Sequence, residues 1–79
     1  MTDNERNARD LLTSICETDE VLDDYDLDLV EEGFIDSFAV LDAIVRIEDE
    51  TGVRLQATDL GKDNISSVNK LIAFLDGLK

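Results

Sequence analysis

Apolar residues recur at intervals of three and four in three separate stretches of this chain, which is the spacing that places side chains along one face of an α-helix. The stretches predict helices over residues 4–17, from about Asp36 or Ser37 to Glu50, and over residues 66–78. No proline interrupts any of them, and 79 residues suffice for one domain only. We therefore expect an all-α fold in which residues 1–79 form a single helical bundle.

The predicted helix ends carry residues that can satisfy unpaired backbone groups. Either Asp36 or Ser37 can cap the second helix, and Ser66 can cap the last one. Gly52 follows the second helix, where glycine readily adopts the left-handed conformation that ends a helix.

Two connections join the three main helices. Residues 18–36 carry too many apolar side chains for a loose linker, so we expect a long ordered loop between helices one and two, fastened to the core. A short helix is expected around residues 58–61, with Thr58 as its cap. The predicted architecture is a bundle of three main helices and one short helix.

Charge is the most informative feature of the composition. Twenty acidic residues against seven basic ones give a net charge of −13, and no Lys or Arg occurs between Asp10 and Val45. Such a surface repels nucleic acids and anionic membranes, and it attracts partners with basic patches. The alternative is that the acidity only keeps a small protein soluble.

The residues offer little for catalysis or for binding metals. The chain has no histidine, and a Ser or Cys nucleophile has no evident activating base. Cys16 lies on the apolar face of the first helix, so we expect a buried core thiol. Asp24, Asp26 and Asp28 alternate as at the start of an EF-hand loop, but the later glycine and glutamate positions do not match. We therefore predict no dedicated metal site, and the residues alone offer no evident catalytic group.

The cysteine count and the distribution of apolar residues indicate the cellular compartment. One cysteine cannot form an internal disulfide, which is typical of a reducing environment. Met1 is followed by Thr-Asp-Asn-Glu without a basic or apolar start, and no apolar run approaches the ~20 residues of a membrane span. We expect a cytoplasmic, monomeric protein that does not insert into membranes.

The segment Glu-Glu-Gly-Phe-Ile-Asp-Ser-Phe, residues 31–38, resembles the signature of acyl carrier proteins, in which an Asp-Ser-hydrophobic triplet opens the second helix. The resemblance implies that 4′-phosphopantetheine is attached covalently, from coenzyme A, to the hydroxyl of Ser37, next to Asp36. Within that family, residues 33–38 are most similar to the free-standing D-alanyl carrier proteins. The residues alone also allow Ser37 to be an ordinary helix cap.

The function implied by this resemblance is to carry an acyl or aminoacyl cargo as a thioester on that arm, with D-alanine for teichoic acid modification as the nearest match. The expected partners are a phosphopantetheinyl transferase and an adenylating ligase or acyltransferase with a basic docking patch. The second helix would present the partner-binding side chains, namely Phe38, Leu41, Asp42, Val45, Glu48 and Asp49. The alternatives are a carrier for fatty-acid, polyketide or peptide synthesis, and an acidic interaction module without a prosthetic group.

Overall fold

Three α-helices form the framework of the computed structural model, which describes residues 2–56 and 59–78. Helix α1 spans Asp3–Cys16, α2 spans Ser37–Thr51, and α3 spans Val68–Asp76. Two short 3₁₀ helices lie in the connections, at Glu20–Leu22 and Lys62–Ile65, and the described residues form no strand. The predicted all-α fold is confirmed, and each main helix lies within two residues of its predicted range.

Helix α2 begins and ends as the sequence indicated. Asp36 has an extended backbone, and its carboxylate Oδ1 accepts a hydrogen bond from the N–H of Ala39 at 3.0 Å. At the other end, Gly52 has a φ of 74°, and its N–H donates to the carbonyl of Glu48 at 2.8 Å. Glycine suits this position because positive φ carries little steric cost without a Cβ.

Helix α3 is capped by Ser67, so the prediction that Ser66 is its cap was wrong. Ser67 has the extended backbone that a cap requires, and its hydroxyl accepts a hydrogen bond from the N–H of Lys70 at 3.1 Å. Ser66 instead continues the preceding 3₁₀ helix with helical backbone angles, and its hydroxyl donates to the carbonyl of Asp63 at 3.0 Å.

The short helix also differs from its prediction over residues 58–61. It lies at Lys62–Ile65, because the backbone of Gly61 is extended and cannot belong to a helical turn. The side chain of Asn64 accepts a hydrogen bond from the N–H of Gly61 at 2.9 Å and so fixes the start of the turn. Thr58, the predicted cap, lies outside the described residues.

The long loop between α1 and α2 is ordered, as predicted. Val21, Leu29 and Ile35 from this loop are buried in the core. The N–H of Leu29 donates to the carbonyl of Ser66 at 2.6 Å, and the carbonyl of Leu29 accepts from the N–H groups of Phe34 and Ile35. The loop therefore approaches the start of α2 along a fixed path.

The core is aliphatic and combines side chains of the three α-helices with side chains from the connections between them. Its largest fully buried side chains are Leu12, Leu29, Ile47, Leu60, Ile65, Leu71, Val21 and Val68. Burial of side chains of this type stabilises a fold by about 1.5–3 kcal/mol each. Over the described residues, no helix has the length and apolar character that crossing a bilayer requires.

Candidate functional site

Ser37 is the first residue of α2 and is exposed to solvent. The loop reaches it through a turn at Gly33, whose φ of 85° is in the region that favours glycine. After that turn, Ile35 is buried, which anchors the chain two residues before the serine. The local sequence thus places a hydroxyl at the surface on a fixed backbone.

Asp36 leaves the hydroxyl of Ser37 available. Because the Asp36 carboxylate caps the helix through the N–H of Ala39, Ser37 does not serve as the N-cap. The Ser37 side chain makes no hydrogen bond to any other described residue, and neither do the N–H groups of Ser37 and Phe38. Unpaired amides at a helix start favour an anion, so a phosphodiester on this hydroxyl fits the site.

Three apolar side chains of α2 are conspicuously exposed beyond the serine. Phe38 is 80% exposed, Leu41 54% and Val45 56%. Their spacing places them on one side of the helix, where they were predicted to contact partners. Large apolar side chains exposed next to one another are typical of surfaces that contact other molecules, so the prediction for these three residues remains open to test.

The predicted acidic partner residues occupy different environments. Asp49 is exposed on α2, while Asp42 is paired with Arg46, whose Nε lies 3.2 Å from Asp42 Oδ1. Glu48 is half-buried, and its carboxylate accepts a hydrogen bond from the N–H of Leu55 at 3.0 Å. Glu48 therefore holds the segment after α2 against the helix, a role that the sequence analysis missed because the two residues are seven positions apart.

A cleft of about 320 Å³ opens next to Ser37. It is lined by residues from the end of α1, the loop and the first turns of α2, namely Ile15, Phe34, Asp36, Phe38, Ala39 and Asp42. Sequence reasoning did not find this cleft, because helical periodicity does not specify how the end of α1 meets the start of α2.

Cys16 lies close to this cleft, but its thiol is partly shielded from solvent. Its side chain is partly buried against the core rather than fully buried, and Sγ lies 3.9 Å from the carbonyl oxygen of Phe34. Burial raises the pKa of the Cys16 thiol, since the charged thiolate loses hydration. The thiol is therefore less reactive than an exposed one.

The carboxylates of the three loop aspartates accept hydrogen bonds from the loop itself and from α3. Asp24 and Asp28 accept hydrogen bonds from the backbone N–H groups of Asp26 and Val30, and Asp26 accepts one from the side chain of Asn69 at 2.7 Å. Within residues 2–56 and 59–78, no three His, Cys, Asp or Glu side chains are grouped so that they could hold a metal ion.

The sequence of this chain matches a known protein family. Residues 8–75 match the family described as "Phosphopantetheine attachment site". The chain belongs to this family. Its members carry covalently attached 4′-phosphopantetheine, so the protein is a phosphopantetheine carrier, and the expected resemblance to acyl carrier proteins is confirmed. A module without a prosthetic group is no longer a suitable description.

Curated relatives are similar to this chain over 89–100% of its length. The D-alanyl carrier protein of Staphylococcus saprophyticus is 33% identical over 70 residues, which are 89% of this chain and 90% of that protein. The D-alanyl carrier protein of Bacillus velezensis is 31% identical over the same coverage. That of Bacillus cereus is 29% identical over 79 residues, covering both chains completely. Carriers of this family are not themselves enzymes.

Proposed function

We propose that Ser37 bears the 4′-phosphopantetheine and that the protein carries D-alanine between a loading ligase and an acceptor. The observation that supports this site is the exposed Ser37 hydroxyl, left free by the Asp36 cap at the start of α2. When bound, the prosthetic group supplies a terminal thiol that holds the cargo as a thioester. The D-alanyl cargo is supported by the names of the relatives.

Ser37 needs no base from its own chain, because a phosphopantetheinyl transferase would deprotonate the hydroxyl during attachment. The role of this chain is to present the hydroxyl on a rigid helix end and to stabilise the product. The N–H groups of Ser37 and Phe38 have no partner among the described residues and can donate to the phosphodiester oxygens.

Recognition would take place on the exposed side of α2. Phe38, Leu41 and Val45 offer apolar contact beside the serine, and Asp42 and Asp49 offer negative charge to a basic patch on a transferase or ligase. Glu48 belongs to the predicted partner surface, although one of its oxygens is already bonded to the backbone. Charge steering accelerates encounter more than it strengthens the complex, which suits a cytoplasmic, monomeric shuttle that must dissociate.

The attachment site is tested by intact mass after incubation with coenzyme A and a transferase. The wild type should gain one phosphopantetheine mass, whereas Ser37→Ala should gain none. Ser14→Ala is the matched control, because Ser14 is also exposed but lies within α1, and this variant should be labelled like the wild type. Equal labelling of Ser37→Ala would refute the site.

The cargo is tested separately on the protein that already carries its arm. A panel of adenylating ligases, each with its amino acid or fatty acid, is offered to the carrier, and the loaded product is weighed. We expect loading with D-alanine and release of the cargo by hydroxylamine, which cleaves thioesters. Loading by fatty-acid enzymes alone would contradict the D-alanyl cargo and leave the attachment at Ser37 intact.

A further inference from the structure

The cleft beside Ser37 is open to solvent and is lined by apolar side chains and two carboxylates. Ile15, Phe34 and Phe38 contribute apolar surface, and Asp36 and Asp42 contribute the charge. The part of its lining that the structure describes contains no basic residue. Its volume is about 320 Å³. The cleft can therefore accept a small group that is apolar at one end and cationic at the other.

Both carboxylates keep an oxygen for such a group. Asp36 uses Oδ1 to accept from the N–H of Ala39, and Asp42 uses Oδ1 to accept from Nε of Arg46 at 3.2 Å. The second oxygen of each makes no hydrogen bond to another described residue. The Asp42–Arg46 pair is about half exposed, with side-chain exposures of 47% and 42%, so Arg46 only partly offsets the negative charge.

We propose that this cleft binds the aminoacyl group carried by the protein, with the ammonium between Asp36 and Asp42 and the alanine methyl against the apolar walls. The inference rests on the proposed attachment to Ser37, whose chain neighbours Asp36 and Phe38 both line the cleft. A flexible tether holds its end at an effective concentration in about the millimolar range, so even a weak contact is partly populated and easily released. A neutral acyl cargo lacks the ammonium and would not be held in this way.

The test measures the pKa of the cargo's own amino group. A phosphopantetheine analogue bearing ¹³C-labelled D-alanine through a stable amide is attached by the transferase, and intact mass confirms loading. The ¹³C chemical shift is then followed with pH at 0.15 M salt, beside the same analogue free in solution. Nearby carboxylates favour the charged amine, so its pKa should be higher on the protein, by about 0.2–0.7 pH units for an exposed ion pair.

Three substitutions in α2 test the direction of the change in the pKa of the cargo's amino group. Asp42→Asn should lower the amine pKa, and Arg46→Gln should raise it, because the competing cation is removed. Asp49→Asn is the matched control: it removes the same charge from the same helix at a position outside the cleft, so it should change the pKa much less. A propionyl analogue, which lacks the amine, should perturb the backbone amide signals of Ile15 and Ala39 less than the D-alanyl group does.

Each outcome separates this inference from the function on which it rests. If the analogue loads at Ser37 but its amine titrates as it does free in solution, the cleft does not bind the cargo and the attachment stands. Equal shifts from Asp42→Asn and Asp49→Asn would assign the effect to overall charge and overturn the inference. Failure of Ser37 to accept any analogue overturns the proposed attachment and this inference with it.

Discussion

At the start of α2, either of two adjacent side chains could cap the helix, and Asp36 is the one that does. The Asp36 carboxylate accepts the hydrogen bond from the N–H of Ala39, and the Ser37 hydroxyl is left exposed. Substitutions of these two residues should therefore affect helix stability and the proposed attachment separately. Removing the Ser37 hydroxyl should therefore abolish the proposed attachment while the Asp36 cap keeps the helix start intact.

Stability measurements on these two residues should differ. Replacing the cap with alanine, Asp36→Ala, should lower the free energy of unfolding by about 1 kcal/mol, because the N–H of Ala39 loses its acceptor. Ser37→Ala should change it by no more than about 0.5 kcal/mol, since an exposed side chain without partners is removed. Urea unfolding followed by circular dichroism measures both values. A loss in Ser37→Ala equal to that in Asp36→Ala would contradict the assignment of the cap.

Cys16 provides a second prediction at this scale. Because burial raises the pKa of its thiol, less thiolate is present near pH 7–8, and thiolate is the form that reacts with iodoacetamide. Alkylation of Cys16 should be slower in the folded protein than in denaturant, and slower than alkylation of the arm's exposed thiol. Time-resolved intact mass measures all three rates. Equal rates in folded and unfolded protein would show that the thiol is not protected.

At the scale of elements, Tyr25 joins the long loop to α1 and α3. Its hydroxyl accepts a hydrogen bond from Nη1 of Arg9 at 2.6 Å and donates one to Glu5 Oε2 at 2.8 Å. The Arg9 guanidinium also lies 5.9 Å from the centre of the tyrosine ring. The Tyr25 carbonyl accepts a hydrogen bond from the N–H of Asn69, the second residue of α3. One loop residue thus holds both helices that pack beside the loop.

Tyr25→Phe should therefore lower the free energy of unfolding by about 1–2 kcal/mol, because two hydrogen bonds to charged partners are lost while the ring is kept. Urea unfolding is again the measurement. Arg6→Gln serves as the control, since Arg6 is an exposed residue of α1 whose only ion pair among the described residues, to Asp3, is 4.0 Å long. This change should have almost no effect. A Tyr25→Phe protein as stable as the wild type would mean that the tyrosine hydroxyl does not help to hold the loop.

Apolar periodicity was enough to predict the three helices, while the number of apolar side chains indicated the ordered loop and Gly52 indicated the end of α2. The sequence could not distinguish Ser66 from Ser67 as the cap of α3, because both are serines and serine suits this position. Only their backbone conformations differ. The short helix was predicted a few residues before its actual position at Lys62–Ile65 for a similar reason. The spacing of apolar residues does not show that the backbone of Gly61 is extended.

The site itself was only partly predictable. The local motif predicts attachment at Ser37 beside Asp36, because the chemistry of a helix start depends on adjacent residues. The cleft and the bond from Glu48 to Leu55 depend on contacts between elements distant in the sequence. Helical spacing carries no information about such contacts.

For the whole molecule, the net charge of −13 opposes compaction. Twelve acidic residues and no basic ones lie from Asp10 to Val45, which includes the loop and the first half of α2. Salt shortens the range of repulsion from about 30 Å at 0.01 M to about 8 Å at 0.15 M. The same screening should weaken attraction to a basic partner. Salt is therefore expected to stabilise the fold and to slow association.

The melting temperature of the wild type should rise between these two salt concentrations. The variant with Asp24→Asn, Asp26→Asn and Asp28→Asn should be more stable at low salt and respond less to salt, because asparagine removes each charge but keeps an acceptor oxygen. The matching triple alanine variant removes the acceptors as well and should be less stable than the asparagine variant. Thermal melts at both salt concentrations measure these differences. A salt-independent wild type would contradict the repulsion argument.

The central claim, attachment at Ser37, is tested most directly by locating the modification within the chain. Trypsin cuts after Arg9 and Arg46 and at no site between them, so one peptide of residues 10–46 contains both Ser14 and Ser37. After incubation of the wild type with coenzyme A and a transferase, fragmentation of this peptide by mass spectrometry assigns the added mass to a residue. We predict that the phosphopantetheine mass lies on Ser37 alone. Its localisation to Ser14, or to a peptide outside residues 10–46, would contradict the account.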